Sequence, residues 1–479
     1  MDKTIEQSEK TEMADIFDGS DMSEFFKYIP DDDLFVDEGF ERNPHPGAQW
    51  FPGVGLGLFI HWGISSVQGQ YDLSWGMIKR PPGYAEGKRH YCGLPAVTRH
   101  VPPSVYWQSA EQFDAKNYDP DEWLSAAAKA GFKYAILTTK HHDGFALWPS
   151  EHGDFNTKKY MGGRDLVQEY VDSCRRHGLK VGLYFSPPDW YQSREYMNYS
   201  CDPDQPCLDY NWEPITDTTY TPAKQGNPIH SRFGPVELRK QVREYNRLLL
   251  EELLGNYGPI DLLWFDGPGG DCMSVQRMRE LQPQILINHR GRRYGDFNSA
   301  AENAFPEEKH DRGWWDYCNE LSDGGWGYLK HEIYKPTAWF LAELGKTRAW
   351  GGNFVVNAAP NCHGEMPQAY YDRMEEIAAW MQDNAESVFD VEGTVYWPEQ
   401  CNVPVTRSGE TLYLHVHWLV DTPVVFSGIE EPLAVSLEGH AIPYHYEAGQ
   451  LTVEVPHPLS STLPKVIQLQ MPINVAVRR

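Results

Sequence analysis

The sequence has no long apolar segment and no excess of positive charge, and both absences narrow what the protein can be. Across its 479 residues no run approaches the ~18 consecutive apolar residues that a transmembrane helix requires. Its 42 Lys and Arg are outnumbered by 68 Asp and Glu, which gives a net charge of −26. Such a charge repels phosphate backbones and anionic lipids. We therefore expect no nucleic acid and no membrane among its partners.

Clustered cysteines are also missing. The eight cysteines are scattered with no C-x-x-C pair, which excludes a zinc ribbon and a disulfide-rich miniprotein. Only Cys201 and Cys207 lie close together in the sequence, so an isolated disulfide is not excluded. The N-terminus lacks the basic start and apolar run of a signal peptide. We expect a cytoplasmic protein from the sequence as it stands, or a secreted or periplasmic one if a signal peptide was removed.

Short apolar runs alternate with amphipathic stretches over most of the chain. The runs are Gly57–His61, Tyr134–Thr139, Lys180–Ser186, Asp261–Asp266 and Ile285–Asn288. Strands that alternate with helices indicate βαβ units and a parallel sheet. Polar residues follow each run at its C-terminal end, which is where barrel enzymes place their chemistry. We therefore predict an α/β protein with a TIM-like (β/α) barrel.

A different pattern begins near residue 391. Alternating β-rich segments are separated by Gly and Pro turns, as in Thr411–Trp418, Leu451–Val455 and Lys465–Leu469. This sequence pattern is typical of an antiparallel β-sandwich. We assign residues 1–42 to an acidic N-terminal leader, 43–390 to the barrel and 391–479 to the sandwich.

Five strand ends carry the residues that could perform chemistry. They are Phe59–Gly63, Thr139–Phe145, Tyr184–Ser186, Trp264–Gly267 and Asn288–Arg290. A single histidine at a strand end is usually structural, but five polar strand ends at one barrel rim would share one pocket. Asp266 is the sharpest candidate, because a rigid strand carries it to the barrel mouth as a nucleophile requires.

Acetal hydrolysis needs a second carboxylate as proton donor. We place this donor on a loop downstream, where Glu302 and Asp316 are the candidates. Apolar neighbours that raise a carboxyl pKa favour Glu302, but the residues alone leave Asp316 open. A sugar-stacking set is also expected from the tryptophans Trp62, Trp75, Trp264, Trp315 and Trp326.

A metal site deserves consideration because several strand-end residues are of ligand type. They are His61, His141, His142, Asp143 and Asp266. The H-x-H pair that barrel metal hydrolases carry on their first strand is missing here. Adjacent His141 and His142 would also point to opposite sides of a continuing strand. We therefore expect no metal and no other cofactor.

These motifs resemble those of a known family. Phe59–Gly63, Lys140–Phe145, Leu263–Asp266, Trp326–Tyr328 and Gly351–Asn357 are similar to the α-L-fucosidases of glycoside hydrolase family twenty-nine. The likeness runs from about Trp50 to the end of the chain. It implies a barrel followed by a sandwich, and a fucosylated oligosaccharide or glycoconjugate as substrate.

The resemblance also implies roles for individual residues. It implies a retaining exo-α-L-fucosidase in which Asp266 is the nucleophile that forms a covalent glycosyl-enzyme intermediate. Glu302 lies at the position after Arg290 where some family members carry their acid/base residue. Residues implied to bind the sugar are His61, His141, His142, Tyr184, Trp264, Arg290 and Trp326, and Trp75 joins them from the stacking set.

The chain departs from the family around Trp75. Ser74-Trp75-Gly76 stands where the family often has Glu-Trp-Tyr, so one expected hydroxyl ligand is lost. This change leaves open L-galactose or a sulfated fucan as the substrate. A non-catalytic sugar-binding homologue is the main alternative of another class, and a metal-dependent hydrolase is the third. The natural glycan and the formation of a homo-oligomer stay open as well.

Overall fold

The computed structural model describes most of the chain between residues 40 and 473. The described ranges are 40–70, 72–78, 100–192, 209–214, 236–267, 269–290, 294–309, 313–417, 423–455 and 463–473. Nearly all of the predicted leader lies outside them, and so do Cys201 and Cys207. Within these ranges no helix has the length and apolar character needed to cross a bilayer.

Eight parallel strands form a nearly closed barrel. In chain order they are β1 Leu56–Ile60, β2 Tyr134–Lys140, β3 Lys180–Phe185, β4 Leu262–Phe265, β5 Leu286–Ile287, β6 Phe297–Glu302, β7 Trp314–Glu320 and β8 Asn353–Ala358. Their order in the sheet is β5-β4-β3-β2-β1-β8-β7-β6. A parallel bridge between Asn288 and Phe297 joins the two edge strands. The predicted barrel is confirmed, and β1 to β5 coincide with the five predicted runs.

The five predicted runs include none of the strands β6, β7 and β8. The sequences of β6 and β7 contain Asn, Ser, Ala, Asp and Glu, which do not form the apolar run of a buried strand. Consequently the placement of Glu302 on a loop is wrong, because this residue ends β6. Asp316 lies within β7, where it pairs with Ser299 of β6.

Helices cover the outside of the barrel. Those in the described ranges are α1 Pro103–Tyr106, α2 Pro120–Lys129, α3 Thr157–Tyr160, α4 Leu166–Arg176, α5 Val236–Asn256, α6 Val275–Leu281, α7 Thr337–Ala349 and α8 Gln368–Asn384. Asp119 begins α2 by accepting a hydrogen bond from the Asp121 amide, and α2 buries Trp123 and Leu124. The amphipathic stretches of the sequence therefore form these helices.

The interior of the barrel is filled by side chains. A cluster that includes Phe59, Tyr134, Tyr184, Trp264 and Val355 occupies it. Gly57 of β1 makes room for Tyr134, because a Cβ atom there would lie 2.3 Å from the tyrosine ring. Since the interior is a packed core and not a channel, a binding site must lie at the mouth of the barrel.

Two antiparallel sheets follow the barrel. Their strands are β9 Glu392–Gly393, β10 Val405–Ser408, β11 Thr411–Val416, β12 Val424–Ser427, β13 Ala434–Leu437, β14 His440–Ala441, β15 His445–Glu447, β16 Gln450–Val453 and β17 Lys465–Gln470. One sheet has the order β14-β13-β17-β11-β10-β9 and the other β12-β16-β15. Leu414 and Ile467 of the first sheet share a core with Phe426 and Leu451 of the second. The predicted sandwich is confirmed.

Arg348 of α7 ties the base of the barrel to the segment that leads into these sheets. Its side chain is fully buried and donates hydrogen bonds to the carbonyl groups of Val388, Gly352, Pro52 and Val391. Burial lowers the pKa of Arg348 to about 10, so the guanidinium still carries its charge at neutral pH. One side chain therefore satisfies carbonyl groups from three separate stretches of backbone.

Replacing Arg348 should destabilise the protein strongly. Arg348→Met leaves several buried carbonyl groups without donors, and we expect the free energy of unfolding to fall by about 3 kcal/mol or more. The midpoint of urea unfolding, followed by tryptophan fluorescence, measures this loss. Arg176→Met is the matched control, because Arg176 forms only an exposed ion pair with Asp121. Equal midpoints for the two variants would contradict the prediction.

Candidate active site

Asp266 stands at the mouth of the barrel, directly after β4. Trp264 and Leu262 of that strand face the barrel interior, and the two-residue repeat of a strand brings Asp266 to the same side. Its Oδ2 accepts a hydrogen bond of 2.7 Å from the hydroxyl of Tyr184, and Nε2 of His142 lies 3.6 Å from the same oxygen. The rigid strand and the hydrogen bond from Tyr184 hold the carboxylate in one position.

The charge of Asp266 is strongly stabilised. Burial alone would raise the pKa of this carboxyl group. The charge of Arg290 outweighs that effect, together with the hydrogen bond from Tyr184, so the pKa of the carboxyl lies below its usual value. Asp266 is therefore an anion at neutral pH, as a carboxylate nucleophile must be.

Arg290 stands between two carboxylates. Its Nε lies 2.9 Å from Oδ1 of Asp266 without the direction of a hydrogen bond, so this contact is an ion pair. Its Nη1 donates to Oε2 of Glu302 at 2.5 Å. Because both oxygens reach one planar guanidinium, they lie within about 8 Å of each other, a distance that suits either retention or inversion.

The surroundings of Glu302 differ from those expected. The sequence predicted apolar neighbours, but the guanidinium of Arg290 contacts the carboxylate directly. The Glu302 side chain is 30% exposed, whereas Asp316 is fully buried. Water and a leaving group can therefore reach Glu302.

Asp316 lies deep inside the barrel. Neither of its oxygens has a partner with hydrogen-bond geometry among the described residues, although Ser299 and Trp264 lie beside the carboxyl group. Burial raises its pKa to about 7. Asp316 thus lies beneath the site and lacks the solvent access that an acid acting on a bound glycan needs.

Three histidines enter the pocket. His61 follows β1, and its Nδ1 lies 2.7 Å from Oδ1 of Asn357 on β8. His141 and His142 both face the site because β2 ends at Lys140, and their ring centres are 4.3 Å apart. The expectation that neighbouring histidines point to opposite sides therefore does not apply.

All three histidines are neutral at neutral pH. Burial lowers the pKa of His61 to about 4, although Asn357 and Asp266 oppose the shift. Burial also lowers the pKa of His142 to about 4, and it lowers that of His141 well below its usual value. Neutral imidazoles both donate and accept hydrogen bonds, which suits sugar hydroxyl groups.

Aromatic rings surround these polar groups. The Trp264 ring stacks on Tyr184 with centres 5.7 Å apart, and the Arg290 guanidinium lies 5.0 Å from the Trp264 ring centre. Trp75 is edge-on to His142 at 5.4 Å, and Trp326 lies 5.1 Å from His61. These contacts place Trp75, Trp264 and Trp326 at the pocket.

The other two tryptophans of the expected stacking set do not reach the pocket. Trp62 packs outside the barrel against Phe113 and Trp123, and its indole donates to the carbonyl of Asn361. Trp315 is buried, and its indole donates to the carbonyl of Trp350. Both follow or occupy strand positions whose side chains point outward, so they are core residues.

One group of described residues has the spacing of a metal site. Ligand atoms of His141, His142 and Asp266 lie within 4.8 Å of one another. The positive charge of Arg290, 2.9 Å from the Asp266 carboxylate, disfavours a cation at this point. The absence of a metal stays a prediction, and a chelator tests it below.

Several supporting residues were not among the predicted site residues. Ser74 contacts Nδ1 of His141 at 2.5 Å, and Ser186 contacts Nδ1 of His142 at 2.5 Å. Asp72 holds the loop of Trp326 by accepting a hydrogen bond from its backbone amide at 2.9 Å. The one signal in the sequence is that Ser186 is a polar residue directly after an apolar strand. Spacing gives no indication for Ser74 or Asp72.

Known proteins share this sequence pattern. A sequence model of the α-L-fucosidase family matches residues 38–386. The α-L-fucosidase of Dictyostelium discoideum is 26% identical over 457 residues, which cover 88% of this chain and 88% of that protein. The tissue α-L-fucosidase of Homo sapiens is 25% identical over 402 residues, or 78% of this chain and 76% of the relative.

Known structures share the fold. The α-L-fucosidase isoenzyme 1 from Paenibacillus thiaminolyticus has a TM-score of 0.69 at 29% identity, with 89% of this chain and 99% of that chain covered. A GH29 α-L-fucosidase from Bacteroides thetaiotaomicron, trapped as a covalent intermediate, has a TM-score of 0.69 at 22% identity, with 90% and 97% covered. The latter likeness shows a common fold.

A parallel barrel with two carboxylates at its mouth is an arrangement that glycoside hydrolases use. The family match extends over most of the barrel and includes the pocket. The chain belongs to the α-L-fucosidase family, and the resemblance drawn from the motifs is confirmed.

Removing the Tyr184 hydroxyl should shift the pH profile. Tyr184→Phe takes a hydrogen bond from the Asp266 carboxylate, so the pKa of Asp266 should rise. A carboxylate nucleophile acts as the anion, so with Asp266 in that role activity is lost as pH falls through its pKa, and the acid limb of kcat/KM should move to higher pH. Hydrolysis of an activated aryl α-L-fucoside measures it. Tyr170→Phe is the matched control, since Tyr170 donates to the carbonyl of Gly182, and an unmoved limb in Tyr184→Phe would contradict the prediction.

Proposed function

We propose that the protein is a retaining exo-α-L-fucosidase that removes terminal α-L-fucosyl residues from glycans. The observation that carries this proposal is the pair of carboxylates, Asp266 and Glu302, on either side of Arg290 at the barrel mouth. The side chain of Asp266 is 15% exposed and is held as an anion, whereas that of Glu302 is 30% exposed. A held anion suits a nucleophile, and a carboxyl group that solvent reaches suits an acid/base that must also activate water.

In the first step an oxygen of Asp266 attacks the anomeric carbon. The bond from that carbon to the leaving oxygen breaks, and the leaving oxygen takes a proton from Glu302. The product is a glycosyl ester of Asp266 and a free alcohol. Arg290 stabilises the charge on Glu302 that this transfer creates, because its Nη1 already contacts the carboxylate.

In the second step Glu302 removes a proton from water. The water oxygen attacks the anomeric carbon, the ester bond to Asp266 breaks, and both carboxyl groups return to their starting states. Two inversions at the same carbon give net retention. The solvent access of Glu302 supports this role, since the water must enter on its side.

The pocket around the carboxylates suits an uncharged deoxy sugar. The neutral imidazoles of His61, His141 and His142 offer hydrogen bonds to hydroxyl groups without a charge. The faces of Trp264 and Trp326 offer apolar contacts to carbon atoms of a ring and its methyl group. We therefore propose fucosylated oligosaccharides or glycoconjugates as the substrates.

Replacing the nucleophile should abolish turnover. Asp266→Asn keeps the shape of the side chain but loses its charge, and we expect kcat/KM for an activated aryl α-L-fucoside to fall by ~10³-fold or more. A chelator should leave the wild-type rate unchanged. The control Asp154→Asn alters a side chain that forms only an exposed ion pair with Lys159.

Two results would overturn this assignment. Full activity of Asp266→Asn would remove Asp266 from the mechanism, and loss of the wild-type rate with a chelator would favour the metal-dependent alternative. Binding of fucose by a wild-type protein that hydrolyses no α-L-fucoside or α-L-galactoside would favour the non-catalytic alternative.

Replacing the acid/base should separate the two steps. Glu302→Ala should spare the first step for an activated leaving group, which needs little protonation, and slow the second step. Azide should accelerate turnover by attacking the intermediate without a base, and it should give the glycosyl azide with retained configuration. The matched variant Asp316→Ala should show no such rescue. Rescue of Asp316→Ala but not of Glu302→Ala would mean that Asp316, and not Glu302, is the acid/base.

A further inference from the structure

Ser186 is a buried polar residue that the proposed mechanism does not use. It follows β3 directly, is fully buried, and places its hydroxyl between two partners. Its Oγ lies 2.9 Å from the carbonyl oxygen of Pro188 and 2.5 Å from Nδ1 of His142. Both contacts have hydrogen-bond geometry, so the position of each proton can be worked out.

The hydroxyl of Ser186 has one proton for these two contacts. The carbonyl oxygen of Pro188 can only accept, so the Ser186 proton is donated there. The Ser186 oxygen must then accept in its contact with His142. It follows that Nδ1 of His142 carries a proton and donates it to Ser186.

This arrangement fixes the other side of the His142 ring. Burial keeps His142 neutral, with a pKa lowered to about 4 despite the opposing charge of Asp266. A neutral imidazole that is protonated on Nδ1 has a lone pair on Nε2. Nε2 lies 3.6 Å from Oδ2 of Asp266, too far for a hydrogen bond, and both atoms are acceptors. Both atoms are therefore free to accept a hydrogen bond from a donor beside them.

The ring of His142 has little freedom to change this orientation. Trp190 lies against it with centres 5.1 Å apart, and Trp75 contacts it edge-on at 5.4 Å. His141 packs on a third side, with centres 4.3 Å apart. The aromatic neighbours hold the plane of the ring, and Ser186 determines which nitrogen carries the proton.

We propose that Ser186 is a positioning residue that holds the His142 proton on Nδ1, so that Nε2 accepts a hydrogen bond from a substrate hydroxyl beside Asp266. This inference rests on the proposed function, because the donor is a hydroxyl of the bound sugar. His142 is then an obligatory acceptor in the pocket. The hydroxyl that binds it donates its proton to Nε2 and leaves the oxygens of Asp266 available for the anomeric carbon.

The proton position can be measured without substrate. The protein is labelled with ¹⁵N-histidine, and the signals of His142 among the 18 histidines are identified by their loss in His142→Gln. Nitrogen shifts and one-bond couplings distinguish a protonated from an unprotonated ring nitrogen. We expect a proton on Nδ1 and none on Nε2 of His142. A proton on Nε2 of the wild-type protein would overturn the inference.

A matched pair of variants tests the role of the hydroxyl. Threonine and valine have the same shape, and both add a methyl group to the serine side chain. Only Ser186→Thr retains the hydroxyl, which Ser186→Val replaces by a second methyl group. We expect Ser186→Thr to keep the Nδ1 proton and to stay within a fewfold of the wild-type kcat/KM. In Ser186→Val the proton should move to Nε2, and kcat/KM for an aryl α-L-fucoside should fall roughly 10- to 100-fold.

The outcomes separate this inference from the proposed function. Thermal unfolding of both variants shows first that they are folded, and the wild-type nitrogen shifts decide the proton position if one of them is not. Equal proton positions and equal kcat/KM in the two variants would overturn the role of Ser186. If no fucoside is hydrolysed by the wild-type protein, the proposed function fails, while the nitrogen shifts still report whether Ser186 fixes the His142 proton.

Discussion

The carboxyl groups of Asp266 and Glu302 share one pocket, and Arg290 stands between them. Without the guanidinium, burial would raise the pKa of Asp266, and the proposed nucleophile would lose its charge. The contact also spans the seam of the barrel, since Arg290 follows β5 and Glu302 ends β6, the two edge strands. These edges are joined by the bridge between Asn288 and Phe297, so the chemistry of the site depends on the closure of the barrel.

Burial has the opposite consequence for the histidines. The same low-dielectric surroundings that strengthen the ion pairs of Arg290 remove the charge from His61, His141 and His142. A neutral imidazole gains a fixed direction of hydrogen bonding only from its partner on the other nitrogen. Asn357, Ser74 and Ser186 are these partners. Residues that a substrate need not contact therefore also affect its recognition.

The sequence predicts the part of the fold that follows simple periodicity. The apolar runs predict β1 to β5 and place Asp266 at a strand end, because buried parallel strands are continuous and apolar. This rule does not detect the strands β6 and β7, and it does not predict the direction in which the Glu302 side chain points. A bulge lies between Ser299 and Ala301, so that Phe297 faces the barrel interior whereas Ala301 faces the outer core. The bulge reverses the alternation of side chains along β6, so the Glu302 side chain points toward the pocket. Without the bulge it would point away.

The choice between Glu302 and Asp316 illustrates why residue type does not determine a role. Glu302 pairs with Cys318 of β7, two residues nearer the barrel mouth than Asp316. That small step along a strand separates a carboxylate that meets Arg290 and solvent from one that is enclosed beneath Trp264. The pKa of Asp266, whose side chain is 15% exposed, is lowered by its charged and hydrogen-bonding partners, whereas burial raises the pKa of the enclosed Asp316 to about 7. The partners of each carboxylate, which only the folded barrel assembles, therefore decide whether it is an ion at neutral pH.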